Sequence, residues 1–133
     1  MNSDSANKEH QRKDVDLWRI PAIVSIEAVH VRHREPLRFY VQSKPVESRE
    51  TIEFMVRTSE EFPVRALSPA LFVGDHAITE MSRLGENIYS FVAPETEIPR
   101  LKQNAAISLG WAGTRAKPTR TKYRFRIGRE ETR

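Results

Sequence analysis

The chain has 133 residues, 38% hydrophobic and 30% charged, a balance that fits one water-soluble domain. No stretch approaches the roughly 20 apolar residues of a membrane-spanning helix, and the lack of cysteine excludes disulfide staples, thiolate zinc sites and a cysteine nucleophile. The formal net charge of +4 conceals an asymmetry, because residues 1–114 sum to −2 and residues 115–133 to +6, the one compositional fact that bears on partners.

Residues 1–16 mix Lys8, Arg12 and Lys13 with Asp4, Glu9, Asp14 and Asp16 and show no hydrophobic period. Such a segment buries too little to offset its ordering entropy and lacks the apolar run of a secretory leader, so a disordered polar tail and a cytoplasmic protein are expected. Trp18 and Ile20 open the folded part, and Pro21 favours an extended entry. Residues 22–33 carry Val24, Ile26 and Ala28 in one phase and Val29 and Val31 in the other, which predicts a bulge or a change of sheet near Glu27 and Ala28.

Strict alternation follows. Leu37, Phe39 and Val41 alternate with Arg38, Tyr40 and Gln42; Ile52, Phe54 and Val56 with Glu53, Met55 and Arg57; Ile107, Leu109 and Trp111 with Ala106, Ser108 and Gly110. A period of two places each set on one face of a strand, the pattern of antiparallel sheets wet on one side. Pro63 and Pro69 forbid a helix interior across residues 64–67. Residues 76–84 admit two readings. Asp75 as a cap, helical spacing of Ala77, Ile78, Met81 and Leu84, and Gly85 as a stop fit a short helix, whereas Gly85-Glu86-Asn87 before Ile88-Tyr89-Ser90-Phe91-Val92 fits a hairpin. Strand is the preferred reading.

The expected fold is an all-β, immunoglobulin-like antiparallel sandwich of seven to eight strands over residues 17–129, with 130–133 as a C-terminal end. The expectation rests on strand spacing, since the inter-sheet cysteine pair of antibody domains is absent.

At the C-terminus Thr121, Tyr123, Phe125 and Ile127 alternate with Arg120, Lys122, Arg124 and Arg126, so that one face packs and the other is cationic. Arg115, Lys117 and Arg129 extend the positive region, and like charges about 6.5–7 Å apart on a strand repel unless acids or an anionic ligand relieve them. Arg115, Lys117, Arg120, Lys122, Arg124 and Arg126 are therefore the candidate anion-facing residues. The competing account is a solvated strand that opposes aggregation, paired with the acids Glu47, Glu50, Glu53, Glu60 and Glu61.

Other constellations are weaker. His30 and His33 fall on opposite faces of a strand and do not converge on a metal. Asp75-His76 lacks a nucleophile elbow, and Asp75 fits turn chemistry. The five dispersed glycines form no phosphate loop, and Trp111 fits packing. No cofactor is expected. The leading expectation is a non-enzymatic interaction module whose basic strand contacts an acidic protein surface or another chain. A nucleic-acid-binding domain using the same strand is the alternative, and an enzyme with a dispersed active site is the third.

Overall fold

The computed structural model describes residues 19–63, 68–113 and 117–133. The expected tail, Trp18, the segment 64–67 and Arg115 lie outside them. Among the described residues nine strands form: β1 Ile23–Val41, β2 Lys44–Thr58, β3 Pro69–Val73, β4 His76–Ile78, β5 Met81–Gly85, β6 Ile88–Pro94, β7 Ala106–Trp111, β8 Thr119–Arg124 and β9 Ile127–Thr132, with one short 3-10 helix, Glu95–Arg100, after β6. The chain is predominantly β, in two sheets ordered β5-β6-β2-β1-β9 and β4-β3-β7-β8.

Residues 76–84 are strands, not a helix: β4 returns on β3, and β5 turns back on β6. Asn87, at a positive φ of 58°, supplies the left-handed position that turn needs. The strand count exceeds the seven or eight expected, and one pair, β1 with β9, is parallel. The runs at 22–33 and 37–42 belong to a single 19-residue strand. Its pairing with β2 slips between Arg32 and Leu37, where Pro36, which has no N–H to contribute, sits in the bulged stretch. The N–H of Arg34 there donates to the carbonyl of Arg133 instead.

Near Ala28 the pairing with β2 is regular, so the change of phase predicted there is not a break in the hairpin. It appears on the other side. Ala28 is opposite Ile127 and Val29 opposite Arg129, leaving Gly128 as the extra residue of β9. Val29 and Val31 face away from the main core, and their cross-strand neighbours Glu53, Arg129 and Glu131 belong to a continuous chain of ion pairs, Glu27–Arg129–Glu131–Arg133–Glu53. Apolar stems of such side chains shield the valines while the charges stay in water.

Both sheets contribute to one hydrophobic core, with Ile52, Phe54, Val56, Tyr89 and Phe91 from the first and Leu71, Val73, Ile107, Leu109 and Trp111 from the second. Phe62 stands edge-on to both Tyr89 and Trp111, with ring centroids 5.4 Å apart in each pair.

Glu61 fastens the chain beside this cluster. Its carboxylate accepts hydrogen bonds from Arg83, from the Tyr89 hydroxyl and from the Asn87 N–H. These contacts, Arg83 first, then Tyr89 and Asn87, lower its pKa from 4.5 to about 2. A carboxyl depressed on folding adds stability in full above its unfolded pKa and loses it as pH falls through the folded one. Native stability should therefore decline as pH drops from about 4.5 to about 2, and Glu61→Gln should flatten that decline in urea titrations. An unchanged slope would remove Glu61 as the cause.

Candidate functional site

The basic strand predicted over residues 120–127 is two strands. The chain leaves the smaller sheet after Arg124, crosses at Phe125 and Arg126, and enters the larger sheet at Ile127 as β9, which runs on to Thr132. Residues 130–132, within the C-terminal end of 130–133, are part of this strand. The alternation nevertheless survives the crossing. Arg120, Lys122, Arg124 and Arg126 are exposed, Thr121, Tyr123 and Ile127 half-buried, and Phe125 buried at 3% exposure.

Among the described residues β8 is the edge of its sheet, paired with β7 alone. Between the pairs Ser108–Arg120 and Ala106–Arg124 the register slips, and a side chain replaces part of the ladder. The Thr121 hydroxyl donates to the carbonyl of Ile107 and accepts from the N–H of Tyr123. Threonine suits this position because its hydroxyl reaches nearby backbone groups. Tyr123 is fixed inward by a hydroxyl hydrogen bond to the carbonyl of Val24, 2.8 Å away, and Phe125 packs 5.7 Å from Phe54 between ring centroids.

Arg124 donates to the backbone carbonyl of Asn104, and Arg126 approaches the Asn104 side-chain oxygen, so one turn gathers two guanidinium groups. Asn104 itself takes a positive φ of 64° and donates its N–H to the carbonyl of Phe125. Only its residue type, tolerant of left-handed backbone, signals it in the sequence. Lys117 is exposed just before β8.

None of Lys117, Arg120, Lys122, Arg124 and Arg126 forms an ion pair with a carboxylate of the described residues. The glutamates expected to cover them are engaged elsewhere: Glu50 with Arg32, Glu53 with Arg133, Glu60 with Arg19 and Glu61 with Arg83, while Glu47 pairs in register with Arg38. Among the described residues the cationic edge is open.

The histidines separate as strand geometry requires. His33 hydrogen-bonds Thr51, whereas His30 lies between Glu50 and Glu130, 3.8 and 3.6 Å from its two ring nitrogens. Those carboxylates flank opposite nitrogens, and among the described residues no group of three or more ligands is arranged for a metal. His76 pairs with Glu97, not with its neighbour Asp75. Among the described residues no helix is long and apolar enough to cross a membrane.

Comparison with known proteins places nothing beside this chain: no family model, no curated protein and no solved structure matches it. Its functional reading therefore rests on its own surface.

Proposed function

We propose that this protein is a non-enzymatic interaction module, an immunoglobulin-like sandwich whose basic edge β8 receives an extended acidic segment of a partner chain. The observation that carries this reading is the edge itself, where Arg120, Lys122 and Arg124 project from the last strand of its sheet and pair with no carboxylate among the described residues. A free edge offers main-chain hydrogen bonds to an added strand, and alternate side chains of that strand meet the cations. A strand rich in Glu or Asp complements the edge in both respects.

Nucleic acid fits less well. Binding of single strands draws on aromatic rings interleaved with cations, whereas Tyr123 and Phe125 point inward here.

A glutamate-rich peptide should bind at low salt, and replacing Arg120, Lys122 and Arg124 together with Gln should weaken it by about 1–2 kcal/mol, roughly tenfold. Fluorescence anisotropy with the peptide and with a single-stranded oligonucleotide of equal charge reads both. Peptide binding indifferent to the triple change would overturn the proposal. So would binding of the oligonucleotide alone, with affinity collapsing between low and physiological salt.

A further inference from the structure

A second site lies away from β8, where the tip of the β1–β2 hairpin meets β4 and the 3-10 helix. Tyr40, Gln42, His76, Thr79, Glu97 and Arg100 line a recess of about 280 Å³, small for a ligand pocket but of the order of the smallest known. Three features set it apart from an ordinary surface groove.

First, His76 and Glu97 form a close pair whose side chains are only 16% and 17% exposed, an enclosed polar couple at the recess wall. A carboxylate on one ring nitrogen fixes the imidazole's orientation and leaves the other nitrogen for a further partner. Second, with Glu97 engaged by His76, the guanidinium of Arg100 is the uncompensated charge, since it has no carboxylate partner among the described residues. Third, Tyr40, which lines the same recess, is 62% exposed among the described residues.

The hairpin tip is also held in a costly shape. Gln42 and Ser43 have positive φ values of 52° and 64°, the two-residue turn geometry that glycine or asparagine ordinarily supplies. Strain of this kind persists where the surrounding structure imposes it and concentrates at ligand clamps.

We propose that this recess binds a small aromatic anion, a carboxylate or a phosphomonoester, with its charge on Arg100 and its ring against Tyr40, beside the closed His76–Glu97 pair. The chemistry is that of a charge-assisted hydrogen bond to an exposed guanidinium combined with aromatic stacking. It does not depend on β8, so the two sites stand or fall separately.

Amide chemical shifts of the full chain, followed through titration with benzoate, phenyl phosphate and uncharged benzyl alcohol, provide the test. At millimolar concentrations one or both anions should move the signals of residues 40–42, 76–79, 96–98 and 100. Which anion acts distinguishes a carboxylate from a phosphate ligand. Arg100→Gln, an exposed change that leaves the core intact, should weaken binding roughly ten- to hundredfold, whereas Arg120→Gln should leave it unaltered. The proposal is overturned if neither anion shifts these signals, if benzyl alcohol shifts them equally, or if Arg100→Gln has no effect.

Discussion

Replacing Phe125 with alanine should destabilise the native state by about 3–5 kcal/mol, the range for emptying a large aromatic site in a close-packed core. Phe125 is 3% exposed and packs against Phe54, which is itself fully buried at the centre of the larger sheet. Its backbone is committed as well: its N–H donates to the carbonyl of Ala105 and its carbonyl accepts from Asn104. The residue is therefore the pivot at which the chain passes from one sheet to the other. Losing the ring loosens β8 and β9 together, so urea denaturation should report the energy and amide exchange should quicken in both strands. A cost below about 1 kcal/mol would show that the crossing is held by its backbone bonds alone.

The same pivot explains what the sequence conceals. Alternation of residues 120–127 is a correct guide to which side chains face water, because Arg120, Lys122, Arg124 and Arg126 are all exposed. It carries no record of the change of sheet at Phe125, since a strand that crosses a corner without losing phase looks identical to one that runs straight. The reverse happens at residues 22–33. The change of phase from Ala28 to Val29 arises because both faces of β1 are covered, one by the core and one by the ion-paired side chains of β9. A bulge does accompany it, but on the partner strand at Gly128.

Partner choice among charges was equally hidden. Glu50, Glu53, Glu60 and Glu61 are numerous enough to cover the basic strand, yet each is closer in the fold to another cation, and Arg133 at the far end of the chain claims Glu53. Pairings between residues 80 apart in sequence follow from topology, which composition does not encode. The recess at His76 is assembled from residues near 40, 76 and 97, and the short 3-10 helix that supplies Glu97 and Arg100 has no apolar periodicity to announce it. The exposure of the basic side chains was legible in outline because its signal is local; the recess was not, because it has no local signal.

Gly110 supplies the second large effect. It lies in β7 opposite Ala70, and a Cβ there would come within 3.1 Å of the Pro118 Cβ, 3.2 Å of the Pro118 Cα and 3.3 Å of the Phe72 ring. Glycine is thus the residue that lets the entry to β8 lie directly on the sheet. Gly110→Val should cost about 1–3 kcal/mol by overpacking, and the strain falls on Pro118, the residue that leads into the basic strand. The variant should therefore lose acidic-peptide binding by a larger factor than its remaining folded fraction accounts for. Gly85 is the internal control, since a Cβ there meets nothing within 4 Å. Gly85→Ala should be neutral or stabilise by about 0.4–1 kcal/mol through the unfolded chain, with peptide affinity unchanged. If Gly110→Val destabilises the fold yet binds the peptide as the parent does, then the position of β8 is set by Phe125 and Asn104 at its other end. Equal behaviour of the two glycine variants would mean that the Pro118 contact yields freely and places no constraint on the edge.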